Sequence, residues 1–522
     1  MAVHARRYRL PRQPAWLASA LRESPALPAQ VLAVGAFVAL GAAEAGFYAT
    51  AWCPAALFLL ALVVLTAATL GLPVRPPRSL VVGLVLFAAY CAWSLLSITW
   101  ADQQAEAWAG ANRTIAYLLV LVLFALWPVG GTGARLLLAL LSLGIAAIGL
   151  VEILRADAAA VPDRFFIDLR FSEPAGYINA NVALWTLGML GCLATAAARG
   201  AHPVLRGVTL GGTALLAGLA LLGQSRGWLI ALPLALIVLF AFSPDRLRIA
   251  CGAVLAGAGV LAVRGPLLAV HDDYTPARFD GLVADATATL VLMAVVVGLG
   301  GAVWAGIERR VRLDAPNRRR VTIATGVLLA ALALAGGAAA LNAVGDPVER
   351  AGDAWSDFKE GGGPKRGASR FASGGSNRYD FWTVAWDAFR DHPVRGIGAE
   401  NFQELYLRVG SSTEKPRYPH SLLFGVLSQL GIVGASLLAG GLGALLVAAA
   451  AVRRRPAEVQ AAAAAALGVF AYWFGHASVD WLWEFPGLTA PALAMLGTAA
   501  ALATRSGDSP GPTGAPRRPA RR

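Results

Sequence analysis

Charge is scarce in this sequence. Only 14% of its 522 residues are Asp, Glu, Lys or Arg, while 57% are hydrophobic and the mean hydropathy is +0.60. Soluble domains carry about 25% charged residues. A large soluble enzyme with buried core helices therefore fits poorly, the more so because apolar runs of ~20 residues, enough to cross ~30 Å of hydrocarbon, recur along the chain. Cysteine is scarce too. Cys53, Cys91, Cys192 and Cys251 all fall inside apolar runs and none has a CxxC spacing, so neither a zinc site nor a disulfide framework is indicated. With six histidines there is no HExxH, no paired-carboxylate motif and no acidic cluster for a divalent ion. A cleavable leader is not expected, because the basic N-terminus lacks a small-residue cleavage site.

What is present is an all-α, polytopic pattern. Fourteen spans are predicted at about 29–48, 52–72, 80–98, 113–128, 134–154, 176–197, 205–222, 227–242, 247–263, 283–306, 321–343, 420–450, 459–480 and 486–503. Charge supports the count. With the N-terminus in the cytoplasm, 26 of the 44 basic residues fall on the inner side, in clusters such as Arg318–Arg320 and Arg453–Arg455. The short outer loops hold seven: Arg113, Arg155, Arg164, Arg170, Arg226, Arg264 and Arg278. That asymmetry satisfies the positive-inside rule. The expected organisation is a basic cytoplasmic tail (1–28), eleven spans (29–343), a large extracytoplasmic loop (344–419), three spans (420–503) and a disordered basic cytoplasmic tail (504–522). The protein is expected in the cell membrane, with the lipid bilayer as a partner and no nucleic-acid partner.

The long loop holds the other eleven basic residues, and long loops translocate largely regardless of charge. It contains the glycine-rich strip EGGGPKRGASRFASGGSN (Glu360–Asn377), read as a flexible linker. Then comes NRYDFWTVAWDAFRDHP. Phe381, Trp382, Ala385, Trp386 and Phe389 recur at helical spacing, Asn377 is the expected N-cap and Pro393 the stop. Such a helix would lie in the membrane interface or pack on the bundle as a lid. GIGAENF (Gly396–Phe402) has a glycine pair, but no strand precedes it and GxGxxG is incomplete, so it reads as a tight turn.

Ionisable residues at the ends of membrane helices are functional candidates, because burying them is costly. The outer side offers Arg226 in GQSRGW, and Arg170, Tyr177, Asn179 and Asn181 in RFSEPAGYINANVA. It also offers Lys415, Arg417 and His420 in EKPRYPHS, and His476, Asp480 and Glu484 in HASVDWLWEFP. Arginines converging on one membrane face suit an anionic headgroup, above all a pyrophosphate, through bidentate charge-assisted bonds. A histidine beside them has the chemistry of a general base. The plainer alternative is that the arginines anchor at lipid headgroups and His420 caps a helix. His476–Asp480, at i,i+4, is either a second polar site or a structural hydrogen bond.

At these residues the chain resembles the O-antigen ligase family, which also covers Wzy-type polymerases. The features are many spans, the short SRG loop, Arg378 to Trp382 (R-x-x-x-W), Pro393 to Phe402 (P-x-x-G-x-G-x-x-x-F), His420 opening a helix and Gly431 to Gly434 (G-x-x-G). YINANVA is similar to the family's asparagine-bearing helix start. The resemblance covers roughly 165–440. It departs at Ser421, where the family usually has asparagine, and at Gln429, near which a glutamate commonly stands. The resemblance implies a GT-C-like membrane glycosyltransferase with a polyprenyl-diphosphate-linked glycan as donor, a glycan or glycolipid as acceptor, and no metal or other cofactor. It implies that His420 activates the acceptor hydroxyl and that Arg226, helped by Arg378 or Arg417, holds the diphosphate. Arg170 and Asn181 would line the donor entrance. Two alternatives stay open: a polysaccharide polymerase of the same family, and a polytopic lipid or glycan transporter.

Overall fold

A computed structural model describes residues 24–73, 76–311, 314, 316–317, 319–327, 331, 347–360 and 376–504. Thirteen of its helices are candidates to cross a bilayer. Eleven are long and apolar enough: α2 (Ala49–Leu70), α3 (Arg78–Leu96), α4 (Gln104–Leu126), α5 (Gly131–Asp157), α6 (Ile178–Ala196), α7 (Pro203–Gly223), α9 (Arg246–Asp272), α10 (Phe279–Arg310), α14 (Leu422–Ala450), α15 (Ala457–Ala477) and α16 (Pro486–Thr504). Two shorter apolar helices, α1 (Leu27–Ala42) and α8 (Arg226–Phe242), complete the set. Most of the expected span at 321–343 lies outside the described residues, as does the glycine-rich strip 361–375. Between the spans lie the amphipathic helices α11 (Pro347–Glu360), α12 (Arg378–Asp391) and α13 (Phe402–Val409), and a small antiparallel ribbon of β1 (Phe166–Ile167) and β2 (Arg170–Phe171) pairing Ile167 with Arg170.

Hydropathy and burial run in opposite directions. The central α16 is 94% buried over its apolar window at mean hydropathy 1.4, whereas the peripheral α2 is 17% buried at 2.4. Lipid demands apolar side chains on the outside, while the interior can satisfy polar ones with neighbours. Small residues set the packing distances. A Cβ on Gly207 would come within 2.9 Å of Gly298 O and one on Gly211 within 2.8 Å of Ala294 O, so α7 and α10 meet backbone to backbone. At one end of this region Arg206, fully buried, donates to Ala196 O and Ala198 O, both at 2.9 Å, and pairs with Glu308.

Several expected details are corrected. Arg113, Arg155 and Arg264, assigned to short loops from hydropathy, lie inside α4, α5 and α9. Helices here run past the apolar window, because Arg113 finds Glu400 and Arg155 finds Glu152, each at 2.7 Å. Asn377 holds the N-cap position of α12 but its side chain makes no cap bond; its carboxamide donates to Glu414 at 2.8 Å. The buried face of α12 is Phe381, Val384, Ala385 and Ala388, turned from the expected stripe, and Trp386 is exposed. The helix lies on α14, with Trp382 stacked on Phe424 at 5.3 Å between ring centres.

Candidate active site

A kink in α14 positions the site. Gly431 takes φ +63°, a left-handed conformation that glycine accepts without steric cost, and its neighbours' carbonyls leave the helical ladder. The GIGAENF turn docks there: Ile397 N donates to Ser428 O at 3.0 Å and Gly398 N to Gln429 O at 2.8 Å, while Ile432 N donates to Pro393 O at 2.8 Å. A Cβ on Gly431 would overlap Val394 O, so glycine is required by both torsion and space. Gln429 does not reach His420. Its side-chain oxygen accepts the Glu400 backbone N–H, a task that needs only an acceptor.

About two turns before that dock, α14 begins after Ser421. The Ser421 hydroxyl caps the helix, accepting from Phe424 N at 3.4 Å and donating to Ser478 O at 2.7 Å. His420 is therefore not the cap. It has φ +53° and its Nδ1 lies 3.0 Å from Tyr418 O. A carbonyl can only accept, so Nδ1 carries the proton and Nε2 presents its lone pair. The ring sits among Phe381 (5.3 Å between centres), Trp481 (5.9 Å) and Tyr177 (6.4 Å). Burial lowers the His420 pKa to about 4, with Asp480 opposing and Arg378 reinforcing the shift. The imidazole is neutral at neutral pH.

Asp480 is the hub. Its carboxylate is fully buried and accepts from Arg378 Nη2 at 2.8 Å, Asn179 Nδ2 at 2.6 Å, Tyr177 OH at 2.9 Å and Trp481 N at 2.9 Å. Burial works against this charge, but Arg378, the two histidines and the Trp481 N–H outweigh it and hold the carboxyl below its usual range. The same pairing keeps Arg378 above its ordinary value despite burial. Burial and the neighbouring Asp480 raise the Tyr177 phenol, so it stays a donor. His476 does not bond Asp480. Its Nδ1 meets Tyr472 OH at 2.9 Å, and its Nε2 has no hydrogen-bond partner. A Cβ on Gly227 would overlap that ring, so SRG is glycine where α8 meets His476. Arg226, half-buried, is the first residue of α8, after the Ser225 cap, and that contact brings it to the corner where α15 leads into Asp480.

The candidates thus separate. His420 and Arg378 meet around Asp480, and Gly227, the residue after Arg226, lies against His476. Arg417 turns away to Glu106 at 2.6 Å, its side chain 45% exposed. Arg170 is buried on the ribbon beside Asp168 (3.4 Å). Asn181 is fully buried and ties the preceding loop to α6, donating to Phe171 O at 3.3 Å and accepting from Ala175 N at 3.4 Å. Spacing pairs Asp480 with His476, whereas its partners in the fold are Tyr177, Asn179 and Arg378. Their signal was polarity at helix ends, and only the fold pairs them.

Residues 279–439 match the family model described as O-antigen ligase (Wzy_C). No curated protein matches the chain. The matched stretch carries Arg378, the 396–402 turn, His420 and the Gly431 kink; Arg226, Asn179 and Asp480 lie outside it. It supports an O-antigen ligase or Wzy-type kinship and a membrane glycan enzyme.

Proposed function

From that kinship we propose that the protein transfers a saccharide from a polyprenyl-diphosphate carrier to an acceptor hydroxyl, at the outer face of the cell membrane and without a metal ion. The observation that carries this reading is a neutral His420, with Nδ1 turned to Tyr418 O, beside an Arg378 held by Asp480. His420 Nε2 takes the proton of the acceptor hydroxyl as its oxygen attacks the anomeric carbon. The bond from that carbon to the carrier diphosphate breaks, and its electron pair leaves with the phosphate oxygen. Arg378 and Arg226 stabilise the negative charge gathering there, and their fixed cations need no reorganisation during the step. Tyr177 and Asn179 hold Asp480, and through it Arg378, in place. The α12 lid, pinned by Trp382 on Phe424, limits attack by water. Ligase and polymerase share this chemistry and differ in the acceptor.

The test is transfer from a lipid-diphosphate oligosaccharide in purified membranes, with wild type compared with His420→Ala, Arg226→Ala and Arg378→Ala. Loss of transfer at equal expression is expected. Normal transfer by the His420 and Arg226 variants removes the mechanism, and loss of wild-type activity in EDTA removes the metal-free form of it. Supplying either a carrier-linked glycan or a separate glycolipid as acceptor distinguishes polymerase from ligase.

A further inference from the structure

Against the His420 seam lies a cavity of about 30 Å³, bounded by α3, α4, the 399–400 turn, the 418–421 seam with the first turns of α14, and the loop 481–484. Ser94, Thr114, Glu400, Gln429 and Glu484 supply its polar lining. Two carboxylates and one arginine meet here. Arg113 bonds Glu400 at 2.7 Å, with side chains only 6% and 9% exposed, and that pair is neutral. Glu484 is 8% exposed and its Oε2 has no hydrogen-bond partner; nor has Arg113 Nε. The titratable groups facing Glu484 are Tyr90 from α3, followed by Cys91, and Arg113 and Tyr117 from α4. Glu400 faces it from the turn, Tyr418 from the seam, and Asp480 from its own loop. Arg417, next to Tyr418, is bonded to Glu106 at the surface. Among the described residues, then, the one cation facing Glu484 is already balanced by Glu400.

We propose that this cavity is a proton-binding site in which Glu484 stands as a neutral carboxylic acid and donates its hydrogen to one enclosed water. An ionised carboxylate buried without its own counter-ion is strongly disfavoured, and protonation removes the charge. Protonation also makes the unpartnered oxygen a donor. A water needs about 10–15 Å³ and two to four polar partners, which this cavity provides. Burial, reinforced by Glu400 and opposed by Arg113, raises Glu484 to about 8. The direction of the linkage follows. The folded state binds a proton that the unfolded chain releases in the ordinary carboxylate range, so stability declines as pH rises from there through about 8. Deprotonation sets Glu484 in competition with Glu400 for Arg113, and Glu400 belongs to the turn docked on the α14 kink. The cavity adjoins the His420 seam through Tyr418 and Ser421, but neither His420 nor Arg378 lines it, so its test reads carboxyl protonation and melting without an assay of transfer.

Infrared difference spectroscopy and thermal melting of the purified full chain, from pH 6 to pH 9.5, test this. Wild type should show a protonated-carboxyl C=O band that disappears as pH rises through about 8, with the melting temperature falling from pH 6 and levelling off as the band is lost. Glu484→Gln should lack the band and lose that fall, and Glu400→Gln, which frees Arg113 to balance Glu484, should lose the band at lower pH than wild type. Absence of the band in wild type, or its persistence in Glu484→Gln, overturns the proposal. An unchanged pH dependence of melting in a folded Glu484→Gln does the same. If Na⁺ or K⁺ at pH 9.5 raises the melting temperature of wild type and not of Glu484→Gln, the cavity takes an alkali cation and the proton assignment fails.

Discussion

His420 and Asp480 divide the work of the site at the scale of single residues. A buried carboxylate with four donors has no free lone pair well placed to act as a base, so in the proposed transfer Asp480 positions and His420 is the reacting group. Asp480→Asn keeps the shape but loses the charge that holds Arg378. Transfer should fall by roughly 10²-fold, in the range seen when one transition-state donor is lost. Steady-state assays separate this from misfolding, because kcat should drop more than KM rises. The pH profile carries a second expectation. With His420 lowered to about 4, its proton-accepting form is complete at neutral pH. Activity should therefore stay level from pH 6 to 7.5 and fall only as the medium approaches the acid range. A midpoint near the ordinary imidazole value would contradict the burial of this ring. Gly227 belongs to the same scale: Gly227→Ala drives a methyl group into His476 and should destabilise by about 1–3 kcal/mol. In a His476→Ala background, which itself removes the bond to the Tyr472 hydroxyl, the same substitution should cost little more, since the overlapping ring is gone.

At the scale of elements, the interlock of the 393–402 turn with the α14 kink explains two motifs at once. The glycines of P-x-x-G-x-G and G-x-x-G meet at one dock, where helix carbonyls freed at Gly431 take up the turn's N–H groups. Gly431→Ala combines a left-handed torsion with a backbone overlap and should cost at least about 1–3 kcal/mol. It should also open 395–401 to limited proteolysis. Gln429→Leu strands the Glu400 N–H and should destabilise by about 1–3 kcal/mol. Gln429→Glu keeps the acceptor but adds a third carboxylate beside Glu400 and Glu484, so its loss of melting temperature should grow as pH rises. The departure from the family pattern at Gln429 thus bears on how the turn is held and leaves the His420 imidazole untouched. Ser421 likewise supplies an N-cap, a role asparagine fills equally well.

For the whole molecule, polarity sorts between two ends of a bundle whose middle is apolar. Tyr177, Arg378, His420 and Asp480 gather at one end, while Arg199, Arg206, Arg248 and Glu308 gather at the other. Single cysteines at Ser412 and Arg454, placed in a chain freed of its native cysteines, should label from opposite sides of sealed membranes, with Ser412 on the outer side. Labelling of both from one side would overturn the expected topology. Arg206 is a structural charge at the far end, and Arg206→Ala leaves two helix-end carbonyls and Glu308 without it. A loss of about 3–5 kcal/mol is expected in thermal melting, with little change in the KM for donor.

The fold class was legible from the start, because apolar length and the shortage of charge are local properties that a bilayer reads one helix at a time. His420, Arg378 and the paired glycine motifs were legible for a related reason: each sits at a helix end or turn that its own neighbours announce. What only the tertiary structure decided is partnership. Asn181 and Asn179 are two residues apart on one helix start, yet one braces a loop and the other bonds Asp480, more than three hundred positions away. Arg113 looked like a loop residue until Glu400 met it inside the bundle. A buried charge is tolerated only where another element neutralises it, and that element's identity lies in the packing of distant helices.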